Sequence, residues 1–428
     1  MAAFGSDVRN LMAGQLGIWY AQQLAPDNPG YNVSEYLEIH GDLDVDLFVA
    51  ALRRTIDEAE TLRLRFREGA DGAPEQFVAE SDAYPIEIVD LRAEADPRTA
   101  AERRMLADLR IPMDLAAGPL ACYLVFRLGA DHFIWYMRAH HLVLDGHSTW
   151  VVANRVAEVY NALLVGQSPD DTALAPLAVL AGADEAYRHS PEHTVDQTFW
   201  LDVLADLPEQ ADQGKLRRLP DAIKRHTDDV DRAGADRFKE AARRLDTSFA
   251  GLVVAAAVLY EHRTNGARDV VIGLPVRGRG KAVFAVPGNT SNVLPIRVSV
   301  DPTTTLAELA GRASSAVREA LHHQQYRYED MLRDLKQLDG RSLFSLVLNV
   351  MPFDYSMRLG GSTAVARNLS SGPIDDLRID VYDRLAGDGI QIDVDVNCDI
   401  RDPESGRGIA DCFIRVLEWI ATAEPGDP

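Results

Sequence analysis

Cysteine is scarce in this chain, with three in 428 residues. Cys122, Cys398 and Cys412 are widely spaced and each lies in an apolar context. That argues against a disulfide framework or a zinc site and for a reducing cytoplasm. Positive charge is also short: 44 Lys and Arg stand against 66 Asp and Glu, a net charge of −22. Such a surface disfavours nucleic acid and anionic membranes as partners. The longest apolar run, Phe249 to Tyr260, is too short to span a membrane and reads as a buried helix. No basic segment followed by an apolar one opens the chain, so no secretory signal is visible. The phosphate-loop pattern is missing too. Arg277-Gly-Arg-Gly-Lys281 lacks its spacing and its strand-to-helix context, and reads as a basic surface loop. Repeats, low-complexity tracts and heptad arrays are absent.

What is present is an apolar content of 46 %, enough for sizeable cores, in a length that suits two lobes of about 200 residues. Leu11 to Tyr20 is an apolar helix start, Val33 to His40 alternates like a strand, and Asp44 to Ala59 is helical with Leu47, Leu52 and Ile56 towards the core. Glu60 to Phe66 alternates again. Helix and strand recur up to Gly166, where a connection containing Pro169 and Pro176 separates residues 1–175 from 176–428. In the second part, Thr194 to Leu204 reads as a helix and Pro208 to Asp236 as an exposed, charge-mixed connection. Thr247 and Ser248 can cap the buried helix after them. Strands are expected at Val270–Val276, Asn292–Val300 and Leu346–Met351, and helices at Leu306–His323 and from about Gly408 to Thr422. Ile390, Ile392, Val394 and Val396 alternate with Gln391, Asp393 and Asp395, the mark of a half-buried strand. The fold class is mixed α and β in two halves.

The chemistry concentrates in Arg138-Ala-His-His-Leu-Val-Leu-Asp-Gly-His-Ser148. Phe133 to Met137 is aromatic and β-branched enough for a strand, and Val151, Val152, Val156, Val159 and Leu163 recur at helical spacing. His140 and His141 therefore fall where a strand ends. Neighbours on extended backbone point to opposite sides, so His141 is expected to face substrate and His140 the protein interior. Three readings compete: a structural histidine pair, a metal site, and acyl-transfer chemistry with a histidine that orients or deprotonates a nucleophile. His140, His141 and Asp145 do not fall on one face, which weakens the metal reading.

The whole pattern His-His-x-x-x-Asp-Gly resembles the signature of the condensation domains of non-ribosomal peptide synthetases and their acyltransferase relatives. Further segments are similar to that family's motifs in the right order: Gly14 to Tyr20, Glu60 to Phe66, Phe199-Trp200, Gly288 to Arg297, His323 to Leu332, and Leu343 to Phe353. Glu58-Ala-Glu60 departs from the Arg-His-Glu run of many members. Tyr31-Asn-Val-Ser-Glu-Tyr36, Met351-Pro-Phe-Asp-Tyr355 and Asn368 to Leu377 resemble more narrowly the starter-accepting heads of catecholate-siderophore synthetases.

The resemblance implies two chloramphenicol-acetyltransferase-like lobes in a V-shaped pseudo-dimer, the second with bridging loops, around a tunnel that admits two phosphopantetheine arms. It implies amide formation between a donor acyl thioester and an acceptor aminoacyl thioester, with His141 as general base or as the group that positions the amine. Free imidazole, with a pKa near ~6.5, suits either role. Gly146 would leave room for a thioester arm, and Asp145 would order the loop by pairing with Arg279. His147, Ser148, Asn349, Ser371 and Gly372 are candidates for the tunnel lining, with a satisfied core amide the alternative for Asn349. No intrinsic cofactor or metal is expected. Partners would be a donor carrier protein in trans, given how soon the first motif follows Met1, and a downstream acceptor carrier with its adenylation domain. The donor would be an aryl acid such as dihydroxybenzoyl. Other possibilities are an ordinary peptidyl-donor condensation domain, an epimerisation domain, which would need a second acid, and a free-standing acyltransferase that uses a coenzyme A thioester.

Overall fold

A strand buried on both faces organises the first half of the molecule. In the computed structural model, which describes residues 8–80, 84–170, 174–207, 219–220, 222–336, 342–351, 356–384 and 389–427, this strand is His132–His140. Its alternate residues feed two clusters: Phe133, Trp135, Met137 and Ala139 enter one, Ile134 and Tyr136 the other. Aromatic and apolar residues at nearly every position account for that double burial. The strand lies inside a six-stranded sheet of order Ser356–Leu359, Ser362–Ser371, Asn32–His40, His132–His140, Ala121–Arg127, Ile86–Asp90. Neighbours are antiparallel except the last pair. Asn32 stands opposite His140, and His40 opposite His132. Helices Gly146–Leu164 and Val45–Glu58 cover one face, with Phe48, Leu52 and Ile56 buried and Leu47 only partly so.

The second six-stranded sheet has the order Asn292–Ser299, Asp269–Val276, Leu346–Met351, Leu377–Arg384, Gly389–Asn397, Ile223–Val230. Its core surrounds the helix Phe249–Asn265, apolar all round and capped by the Ser248 hydroxyl, which accepts from the Gly251 amide at 3.0 Å.

The chain divides into two compact units. The first runs to His189 and includes Arg279–Thr290 and the segment ending at Gly372; the second takes the residues between and after. This differs from a division at 175/176. Leu177 and Leu180 on the helix Leu177–Arg188 belong to the first core, and Val283 and Val286 return to it. Three local expectations also change. Glu60–Arg63 is a 3-10 turn before the strand Leu64–Glu68. Ile223–Val230 is an edge strand within the stretch expected to be a connection; residues 208–218 and 221 of that stretch lie outside the described ones. Gly389–Asn397 is buried on both faces, because Asp393 and Asp395 find partners in Thr227 and Arg225 across the sheet and Gln391 donates to Asp393 on its own strand. Residues 352–355, part of two motifs, also lie outside the described ones. Among the described residues no helix is long and apolar enough to cross a membrane.

Candidate active site

The turn that follows the His132–His140 strand is held by its own carbonyls. Gln15 Nε2 donates to the Leu142 oxygen at 3.1 Å, Thr61 Oγ1 to the Val143 oxygen at 2.6 Å, and His141 Nδ1 to the Leu144 oxygen at 2.9 Å. Gln15 and Thr61 are buried and belong to two of the sequence motifs, so those motifs serve as struts for the histidine turn. From the other side, the His141 amide donates to the Tyr31 oxygen at 2.8 Å.

The partners assign both histidine tautomers. A carbonyl only accepts, so His141 Nδ1 carries the hydrogen, and neutral His141 has its lone pair on Nε2. His140 is the reverse. Its Nδ1 accepts the Leu142 amide at 3.1 Å, so Nε2 donates to Gln22 Oε1 at 3.1 Å. Gln22 is fixed in that orientation because its Nε2 donates to the oxygens of Ala25, Pro26 and Asn28. His140 is 2 % exposed and His141 half-buried, which gives the two rings different work.

Burial, helped by the neighbouring His141, pushes the His140 pKa down to about 3. The unfolded chain then binds one more proton than the folded one between about pH 6.5 and that value. Stability is therefore lost as pH falls from about 6.5, by roughly 1.4 kcal/mol per unit for this one group. Denaturant titrations between about pH 4.5 and 6.5, above the ordinary carboxylate range, should show that slope reduced in His140→Gln. An unchanged slope would remove His140 as its source.

Asp145 caps the helix Gly146–Leu164: Oδ1 accepts the Ser148 amide at 2.7 Å. Its Oδ2 accepts from Arg279 Nη2 at 2.6 Å and from the Thr290 amide at 3.0 Å. Burial alone would raise this carboxyl, but Arg279 and the two amides more than offset it and hold the pKa below the usual carboxylate range. Arg279 is 6 % exposed and also donates to Thr290 Oγ1 and to the carbonyls of Val286 and Gly288. The ion pair is thus one edge of a cage that ties Arg279–Thr290 to the start of the helix.

Gly146 is exposed, and a Cβ built there meets open space within 4 Å. Gly372 borders the reactive ring: a Cβ there would lie 3.2 Å from His141 Cδ2 and 3.9 Å from Nε2, and its φ of +91° suits glycine. Ser371 is half-buried, its hydroxyl donating to Asn368 Oδ1 at 3.2 Å. Ser148 is fully buried and does not line open space; its hydroxyl donates to the Gly288 oxygen and accepts the Gly288 amide. His147 Nε2 donates to the Phe284 oxygen at 2.8 Å, so this ring fastens the 281–286 segment. Asn349 lies in the second unit, its amide donating to buried Asp380 at 2.8 Å. His140, His141 and Asp145 form no metal-ligand cluster among the described residues. Gln22, the strut of His140, was missed because nothing around it marks a contact 118 residues away.

A family model described as "Condensation domain" matches residues 6–424. The chain belongs to the condensation-domain family. Condensation domains are acyl or peptidyl transferases that form amide bonds in non-ribosomal peptide synthesis. This domain is 39 % identical over 421 residues to a dimodular nonribosomal peptide synthase of Bacillus subtilis (strain 168), covering 98 % of the chain and 18 % of the relative. It is 31 % identical over 387 residues to enterobactin synthase component F of Escherichia coli O157:H7, covering 88 % and 30 %. The chain thus spans less than a third of either relative's length. Among solved structures, the starter condensation domain of rhizomide synthetase RzmA, a mutant in complex with C8-CoA and Leu-SNAC, matches with a TM-score of 0.91 at 35 % identity, covering 98 % of this chain and 96 % of that one. The fold is the chloramphenicol-acetyltransferase-like one of these domains, and the narrower likeness to starter domains and siderophore synthetases holds.

Proposed function

We propose that this condensation domain joins a donor acyl thioester to the amine of an acceptor aminoacyl thioester, both on carrier-protein phosphopantetheine arms, and that His141 acts on the amine. The observation that carries this is the hydrogen bond from His141 Nδ1 to the Leu144 oxygen, which leaves Nε2 as the acceptor of the neutral ring on a half-buried edge beside Gly372. The amine nitrogen attacks the thioester carbon, the C–N bond forms, and the C–S bond breaks. Nε2 accepts the amine hydrogen and returns a proton to the leaving sulfur. Whether positioning or proton transfer dominates, the group required is an acceptor nitrogen held in place. Gly146, open at its Cβ position, gives an arm room to pass.

The donor we assign is an aryl acyl group, such as dihydroxybenzoyl, delivered by a carrier protein in trans for siderophore synthesis. The two described segments that resemble starter heads both meet the reactive histidine: the Tyr31 oxygen accepts the His141 backbone amide, and Gly372 lies against the edge of the ring. The likeness to enterobactin synthase component F supports the siderophore context of this reading. A fatty acyl donor is the second reading, since the RzmA starter domain was solved with C8-CoA. Competition between aryl-, octanoyl- and peptidyl-loaded carriers for one aminoacyl acceptor should give the aryl amide as the main product. A peptidyl product in excess would refute the starter reading and leave condensation standing; an octanoyl product would move the donor to the second reading.

A further inference from the structure

At the far end of the His132–His140 strand, away from the reactive histidine, three ligand-bearing side chains converge. His40 and His132 stand directly opposite each other across the strand pair, and Glu38 is two residues before His40, on the same face. The two imidazoles stack with centroids 4.4 Å apart and planes 20° from parallel. Both turn Nε2 towards one carboxylate oxygen: Glu38 Oε1 is 2.8 Å from His132 Nε2 and 3.8 Å from His40 Nε2. All three ligand atoms lie within 4.8 Å of one another. Ligands about 2.0–2.2 Å from a tetrahedral zinc ion stand roughly 3.3–3.6 Å apart, and the observed separations to Oε1 bracket that value.

From this geometry we infer a divalent transition-metal site formed by Glu38, His40 and His132, with water in the fourth position. Two imidazole nitrogens and one carboxylate select a borderline cation such as Zn²⁺ or Ni²⁺ over hard Mg²⁺. Arg98 donates to the same Oε1 and yields that oxygen to a metal, keeping Glu102 Oε1 and the Tyr36 hydroxyl as its partners. Side-chain exposures of 64 % for His40 and 28 % for His132 leave the cation a path from solvent. The sheet register fixes the separation of the two rings, and His132 Nε2, which donates to Glu38 Oε1 at 2.8 Å, takes up a metal once its hydrogen moves to Nδ1. His132 is eight residues from His140, roughly 26 Å at the rise of a strand. The site is thus independent of the condensation chemistry.

Zn²⁺ titration of the chelator-stripped chain, followed by calorimetry at pH 7.5, tests the assignment. We expect one equivalent that is lost in His40→Ala/His132→Ala, and weakened in His40→Ala alone by at least ~10–100-fold, the loss that even an outer partner of a metal site costs. His40 is exposed, so its single variant carries the test if the double variant fails to fold. Mg²⁺ should give no heat, and amide formation should run at the same rate in excess chelator as in Zn²⁺. Equal Zn²⁺ stoichiometry and affinity in the wild type and in His40→Ala would overturn the site. A condensation rate that falls on chelation and returns with Zn²⁺ would overturn its independence.

Discussion

His141→Ala should lower amide formation by ~10²–10⁴-fold, the span that one positioned acid–base group contributes, while the domain keeps its fold. The two effects separate because the ring is half-buried and the backbone of the turn has struts of its own. The bond from Nδ1–H to the Leu144 oxygen at 2.9 Å is worth about 0.5–1.5 kcal/mol net. The turn keeps its other struts from Gln15 and Thr61. Truncation therefore removes the acceptor nitrogen and leaves the backbone around it. Product from loaded carriers, followed by mass spectrometry under single-turnover conditions, gives the rate. A circular-dichroism melt on the same preparation gives the fold. A folded His141→Ala domain that makes amide at close to the wild-type rate would sink the role proposed for Nε2. His140→Ala is the matched contrast, because it empties a buried position and strands the Gln22 carboxamide oxygen, so its damage should register first in the melt.

Local patterns made the reactive turn legible. The aromatic and β-branched run Phe133–Met137 and helical spacing from Val151 onward bracket the two histidines, and the structure puts a strand end and a helix start there. The struts were not legible in the same way, since Gln15, Thr61 and Gln22 reach partners 127, 82 and 118 residues away. A hydrogen bond across such a separation leaves no local period to read. Charged strands misled for a related reason. Alternating Gln391, Asp393 and Asp395 look like a solvated face, yet Arg225 and Thr227 on the neighbouring strand pair with the two carboxylates in place of water. That neighbour, Ile223–Val230, reads Lys-Arg-His-Thr-Asp-Asp between its apolar ends, a composition poor in β-formers and common on protective edge strands. Ser148, a candidate for the tunnel lining, is buried by the returning Gly288. Both returns of the chain to the first unit depend on tertiary packing, which one sequence does not display.

Asp145→Asn and Arg279→Ala should each destabilise the domain by about 3–5 kcal/mol, the usual cost of leaving one charge of a buried pair alone. The pair is 2.6 Å apart with both side chains essentially inaccessible, so solvent cannot replace the missing partner. Losing Arg279 strands the Asp145 carboxylate, takes the Arg279 donor from the Val286 oxygen and leaves the Gly288 oxygen to the Ser148 hydroxyl; losing the Asp145 charge strands the guanidinium. Because the two residues share one network, the double variant should cost clearly less than the sum of the singles. The pH dependence follows from the depressed carboxyl. Its stabilisation is fully present above the unfolded pKa of about 3.9 and is lost as pH falls through the lower folded value. At pH 7 the single variants should therefore show their whole penalty, while towards pH 3 and below the gap between Asp145→Asn and wild type should narrow. Amide formation should fall as well, since Asp145 caps the helix that starts at Gly146 and fixes the end of the histidine turn. Urea midpoints at pH 7 for the two singles and the double provide the measurement. An Asp145→Asn midpoint indistinguishable from wild type would mean that the cage around Arg279 holds the loop without its charge partner, and would put Asp145 back among the residues that could act on substrate.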